Sequence, residues 1–235
     1  MRRCLLVLPL VLVACFPRAS VPEGERQRAS RELEGQLRFA KVALYLGPLY
    51  GDETKLLVSD QPVEELELLE GIDGKTIAPP QPDRVILPGT PLRIRAVEFP
   101  TGWIIASRIV MTPRYHPWVY LDLPDDSRPA VVVMPQTSTS ADDLRAELER
   151  YAGTVDPSAA FQALPEVQRA AIALKRPVEG MGAQALEMAW GYPEKKVIDR
   201  PTGTEEWSWS GGHRKASLRD GKLVRWAVAE KAKAQ

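Results

Sequence analysis

The chain of 235 residues has little of what most site chemistry requires: two cysteines, two histidines and no net charge, 31 basic side chains balancing 31 acidic ones. Zero net charge removes the electrostatic basis for nucleic-acid binding, whose affinity comes largely from Lys and Arg neutralising phosphates. Structural and catalytic zinc sites take three or four His, Cys or carboxylate ligands at close spacing, and no such spacing occurs. No metal or cofactor is expected. A Ser-His-Asp or Cys-His group needs a base beside its nucleophile, and the only histidines are His116 in RYHPW and His213 beside Gly211-Gly212. Both read as packing or surface residues. The pairs Asp125-Asp126 and Asp142-Asp143 read as solvated or helix-capping acids rather than as glycosidic catalysts. The chain is therefore expected not to be an enzyme. Sixteen glycines and 21 prolines stay below the roughly 25 to 30% of low-complexity disorder, so the chain is expected to fold.

What is present starts at the N-terminus. Arg2 and Arg3 precede an apolar stretch, Leu5 to Val13, broken only by Pro9 and ending before Cys15, with Pro17 and Arg18 behind. This is the pattern of a secretory leader, and it is shorter than the roughly 20 apolar residues of a membrane-crossing helix. Leu12, Val13, Ala14 and Cys15 resemble the lipobox of bacterial lipoproteins. The resemblance implies that residues 1–14 are removed and that Cys15 carries acyl chains, palmitate among them. Each buried CH₂ contributes about 0.8 kcal/mol, so two or three chains hold the protein at the bilayer. With Cys4 discarded and Cys15 alkylated, none remains for a disulfide although the compartment permits one. Phe16 and Pro17 stand where an inner-membrane retention Asp would be, which points to the outer membrane, facing the periplasm.

Residues 15–36 read as the lipidated Cys and a polar tether, compatible with a short helix from Glu25 to Leu37. From 37 to 135 the apolar residues come in short runs cut by Pro and Gly, such as KVALYL, RVILPG and WVYLDL, which predicts a small β-rich domain. Arg93, Arg95 and Glu98 interleave with Leu92, Ile94 and Val97 as in a half-buried strand. The segment VILPGTPLRIRAVEFPTG resembles the central strands of bacterial SH3-like barrels, which implies a small SH3-like β-barrel there. Helix signals define a connector over 136–176: Ser140 with Asp143 as an N-cap pattern, then Asp156-Pro157 and Pro165-Glu166 as helix starts.

From 177 to 229 the pattern is α+β, with 230–235 as a tail. A helix from Ala183 to Trp190 is stopped by Gly191 and Pro193, and alternating runs follow, with Asp220-Gly221 as a strong hairpin signal. The string from Val178 to Trp226 resembles the outer-membrane lipoprotein modules of the SmpA/OmlA type, relatives of the BamE subunit of the β-barrel assembly machinery. The matching residues are Gly180-Met181, Trp190-Gly191-Tyr192-Pro193, Trp207, Trp209 and Gly221-Lys222-Leu223-Val224. Gly182 departs from the pattern, standing where typical members carry Ser or Thr. The resemblance implies an α+β module with a three- to four-stranded antiparallel sheet. Gly180, Gly182 and Ala185 also trace G-x-G-x-x-A, but a dinucleotide fingerprint needs a strand before it and a βαβ unit after it, and AIALKRPVE reads as helix.

Five aromatic residues are candidates for protein binding. Trp207 and Trp209 share one face of their strand, either as core beneath the helix before them or as a docking surface. Tyr45 and Tyr50, with Trp118, are similar to the aromatic lip of an SH3-type peptide groove. Charge is uneven: Lys41 to Arg150 carries 11 basic and 17 acidic residues, Lys195 to Gln235 carries 10 basic and 5 acidic. The expected function is a non-catalytic lipoprotein anchored in the outer membrane, an envelope protein-protein interaction or assembly module linked to outer-membrane protein assembly. The alternatives are peptidoglycan binding through the SH3-like domain and, behind it, an envelope hydrolase.

Overall fold

The computed structural model describes residues 21–229; the expected leader, Cys15 and the tail over 230–235 lie outside them. Eight strands form one curled sheet: β1 (Leu37–Ala40), β2 (Leu44–Leu49), β3 (Asp52–Ser59), β4 (Arg84–Ile86), β5 (Pro91–Glu98), β6 (Trp118–Leu123), β7 (Asp126–Val133) and the two-residue β8 (Ala152–Gly153). Their order is β4-β2-β3-β7-β6-β5-β1-β8. Every neighbouring pair is antiparallel except β3 and β7, which run parallel with Leu56 opposite Ala130 and Val58 opposite Val132. Period-two burial fixes the faces. Val119, Leu121 and Val132 turn to one side, and Trp118, Val131 and Val133 to the other.

Two helices cover the first face. The first, α1 (Glu23–Leu33), contributes Ala29 and Leu33, and a later one, numbered α3 (Ala141–Tyr151) after the short α2 (Gly102–Ser107), contributes Ala141, Leu144 and Leu148. All five are fully buried, and each leucine contributes about 1.5–3 kcal/mol by leaving water. The capping box predicted at Ser140 forms, with Ser140 accepting from the Asp143 N–H and the Asp143 carboxylate accepting from the Ser140 N–H. Arg28–Asp142 at 3.0 Å, an Arg145–Glu32 ion pair, and a 3.2 Å bond from the Ala141 N–H to the Glu25 carboxylate set the two helices in register.

The rest of the chain is α4 (Ser158–Gln162), α5 (Glu166–Ala173), α6 (Ala183–Trp190) and a second, four-stranded antiparallel sheet. Its strands, β9 (Lys195–Asp199), β10 (Thr204–Trp209), β11 (Arg214–Arg219) and β12 (Lys222–Val228), lie in the order β12-β11-β10-β9. Asp220 at φ 50° and Gly221 at φ 71° make the tight β11–β12 turn, a conformation Gly adopts without strain.

The small SH3-like barrel expected over 37–135 does not form. The strands of that region join a sheet that takes in β8 from beyond it, and the parallel β3–β7 pairing is incompatible with a chain of successive hairpins. Local alternation identifies strands but not their partners, which are chosen by the core they share. The fold is mixed α/β, with no separable barrel and module. The expected connector supplies Leu144 and Leu148 to the main core, and the expected tether contains α1, buried at Ala29 and Leu33. The four-stranded sheet and α4–α6 share one cluster with Ala43, Val85 and Leu87 of the large sheet's edge. The alternative of peptidoglycan binding through an SH3-like barrel loses its structural basis.

Candidate functional site

Where the two sheets meet, four charged side chains are withdrawn from water. Glu65, in a short 3₁₀ turn after β3, accepts from Arg214 Nε at 2.9 Å, and the two side chains are 7% and 2% exposed. Arg214 Nη1 also donates to the Trp190 carbonyl at 3.1 Å, and its guanidinium lies 5.3 Å from the Trp190 ring centroid. Ser210 donates its hydroxyl to Glu65. Lys175 leaves α5 with φ 51°, donates from Nζ to the Ala43 carbonyl at 2.5 Å and stands 4.8 Å from the centroid of Tyr45. Burial lowers its pKa to about 7, against the opposing pull of Asp60. Asp60 is itself buried, and desolvation raises its carboxyl above the usual range although Lys175, Arg150 and Arg214 oppose this. Gly191, at φ 83°, abuts that carboxylate so closely that any Cβ would overlap it.

This cluster fastens the two sheets together. Glu65 pairs directly with Arg214, and Arg214 and Lys175 each hold a backbone carbonyl. His116 is equally engaged: its Nδ1–H donates to the Met134 carbonyl at 2.8 Å, and Nε2 accepts from the Gln136 amide at 3.1 Å. Burial holds it below the ordinary imidazole range, so it stays neutral as a strut. Among the described residues no group of His, Cys, Asp and Glu is arranged to hold a metal ion, and no helix is long and apolar enough to cross a membrane.

The aromatic candidates fall in the interior. Trp207 and Trp209 are each 2% exposed and pack with Leu186, Ala189 and Trp190 beneath α6, the core arrangement and not a docking surface. Trp118 is 1% exposed, with its ring under the Arg108 guanidinium at 3.8 Å. Tyr50 is buried on the same face, and burial pushes its hydroxyl up to about 12. Tyr45 sits half-buried at the seam with Lys175, on another cluster from Tyr50 and Trp118. The three do not line one peptide groove.

Two surfaces that sequence reasoning did not single out are open. On the C-terminal sheet, the start of β12 is bonded to 180–183, with Gly180 N–H to the Leu223 carbonyl and Leu223 N–H to the Met181 carbonyl, both 2.8 Å. Beyond Leu223 the outer side of β12 has no strand neighbour among the described residues, and Val224, Trp226 and Val228 are 45%, 39% and 59% exposed. On the large sheet, the segment 102–115 presents Trp103, Ile109, Val110, Met111 and Tyr115 to solvent. Beside it, a groove of about 680 Å³ runs between Glu67–Glu70 and Val110–His116. The exposed Trp226 was visible in the sequence as the third tryptophan of the C-terminal strands, but strand position alone does not tell an inward from an edge-exposed ring. The chain matches no protein-family model, no curated protein and no solved structure.

Proposed function

We propose that the chain is a non-catalytic lipoprotein of the cell envelope, held in the outer membrane by acyl chains on Cys15, and that it works as an assembly module receiving an extended segment of another envelope protein along β12. The observation that carries this reading is the outer side of β12 beyond Leu223, which no other strand covers among the described residues. Unpaired strand edges template pairing with another chain, and folded proteins ordinarily blunt them with charge, Pro or a covering element. The opposite edge follows that rule, since three of the five residues of β9, Lys195, Lys196 and Asp199, are charged. The open stretch Val224-Arg225-Trp226-Ala227-Val228 carries a single charge. Added-strand recognition takes affinity from main-chain bonds and specificity from the alternating side chains, and a half-exposed Trp is the residue type on which such interfaces concentrate their energy. The seam around Arg214 supports the same role by fixing the C-terminal sheet to the body. The resemblance of Val178–Trp226 to SmpA/OmlA modules favours a partner in outer-membrane protein assembly.

A photo-crosslinking residue at position 226, irradiated in intact envelopes, tests the surface. One envelope protein captured there and not from position 197 on β9 is the expected result, and a barrel-assembly subunit would specify the pathway. No adduct at 226, or identical adducts at both positions, sinks the edge. For the anchor, labelled palmitate is incorporated by the native chain and lost in Cys15→Ser; label retained in that variant means that the acyl chains are elsewhere.

A further inference from the structure

We infer that the exposed segment 102–115 is a membrane-seating ledge: Trp103, Ile109, Val110, Met111 and Tyr115 rest in the headgroup region of the phospholipid bilayer that holds the Cys15 anchor. Five large side chains from one continuous segment are 80%, 46%, 67%, 49% and 43% exposed. Their outward aim is built in rather than a consequence of slack chain. Arg108 lies under this segment, 8% exposed, stacked on Trp118 and donating to the Glu98 carboxylate, to the Arg114 carbonyl at 3.0 Å and to the His116 carbonyl at 2.7 Å. Trp118 Nε1 donates to the Pro113 carbonyl at 3.1 Å. Ile105, Thr112 and His116 take the inward positions, so the apolar residues between them are turned outward, Ile109 and Met111 beside Gly51 and Val110 and Tyr115 along the groove.

Three observations select a bilayer as the occupant. The first is charge: from Phe99 to Leu121 there is no Asp or Glu, although Lys41 to Arg150 as a whole has six more acidic than basic residues. The segment itself carries Arg108 and Arg114 and no acid, so its own charges do not repel anionic headgroups, and Glu67 and Glu70 stand across the groove from it. The second is composition, because a Trp and a Tyr flanking aliphatic side chains are the residues that settle at a membrane–water interface. The third is position. β5 and β7 finish and β6 begins at one end of the sheet, since Glu98 pairs with Trp118 and Trp118 with Val133. From that end the ledge departs, and α3 starts from it with the first turn of α1 bonded to the Ala141 N–H. Seven residues separate Cys15 from Glu23, a reach under about 30 Å even fully extended. Acyl chains on Cys15 therefore hold this end of the molecule at the bilayer, which is the clause of the proposal that rests on the proposed anchor.

The test is fluorescence quenching of the full-length acylated protein, reconstituted in vesicles of phosphatidylethanolamine with a minority of phosphatidylglycerol and bromine on the acyl chains. Trp103 is the most exposed tryptophan, so Trp103→Phe keeps the fold and is expected to remove the larger part of the quenching, while Trp226→Phe leaves it. A photo-crosslinking residue at position 110 in intact envelopes is expected to capture phospholipid. Quenching unchanged in Trp103→Phe, or a protein adduct at position 110, overturns the inference. The two readings fail separately. Acylated Cys15 with unquenched Trp103 removes the ledge and leaves the anchor, whereas unacylated chain that is still quenched through Trp103 on added vesicles keeps the ledge and removes the anchor.

Discussion

Removing the Arg214 guanidinium tests the fastening of the two sheets most directly. Arg214→Ala leaves the Glu65 carboxylate, 7% exposed as a side chain, without its 2.9 Å partner, and leaves the Trp190 carbonyl without its donor. Deleting one member of a buried ion pair costs about 3–5 kcal/mol, because the remaining charge stays desolvated and uncompensated. The paired replacement Arg214→Met with Glu65→Leu removes both charges at similar volume, and should fall within about 2 kcal/mol of the native chain, since hydrophobic replacements of buried pairs are often neutral or stabilising. Urea unfolding followed by tryptophan emission reads both, because Trp190, Trp207 and Trp209 pack together against the seam. The expected pattern is a large loss for the single variant and a large recovery in the double. A single variant costing under about 1 kcal/mol, the range of a solvent-exposed pair, refutes the reasoning, and so does a double variant that costs the sum of its parts.

Two further outcomes follow from burial. Leu33→Ala is expected to cost about 2–5 kcal/mol in urea unfolding, because Leu33 is fully buried against α3 and the large sheet; a change near zero would mean that α1 is dispensable. Lys175 has a pKa lowered from 10.5 to about 7 in the folded chain, so between those values the unfolded state holds the additional proton and stability rises with pH. Lys175→Met should flatten that rise. Asp60 acts with the opposite sign at lower pH, where its raised carboxyl makes the folded state the proton holder and stability falls as pH climbs through its titration. Unfolding free energies measured across the alkaline range in both proteins decide the matter, and an undiminished slope in Lys175→Met assigns the rise to another group.

Signals that act within a few residues were legible in the sequence. Ser140 with Asp143 predicts the capping box that starts α3, and Asp220-Gly221 predicts the turn between β11 and β12. The alternation of Leu92 and Ile94 with Arg93 and Arg95 appears as the burial pattern of β5. Pairing over distance was not legible. Nothing in Leu56-Leu57-Val58 specifies Ala130-Val131-Val132 as its partner, and the likeness of nearby strands to a small barrel stood in for that missing information. α1 was legible as a short helix but not as part of the core, because Ala29 and Leu33 are its only buried residues and much of the rest is charged surface paired with α3. The seam was invisible because Asp60, Glu65, Lys175 and Arg214 are residue types that normally face water, and only their convergence from three separate segments, the stretch after β3, the end of α5 and the start of β11, withdraws them. For the same reason the open surface on the C-terminal sheet had to wait for strand order, which distinguishes Trp226 at the rim from Trp207 in the middle.

The parallel alignment of β3 with β7 also sets a timetable for the nascent chain. The hairpin of β2 and β3 closes from neighbouring residues, yet the flank of Leu56, Leu57 and Val58 stays bare until Val131 and Val132 emerge more than seventy residues later. Contacts of such long sequence separation form late. Throughout that delay a greasy, unsatisfied ribbon is offered to any other unfinished copy, and a holding chaperone is most useful in this interval, between the appearance of Val58 and the arrival of Val133.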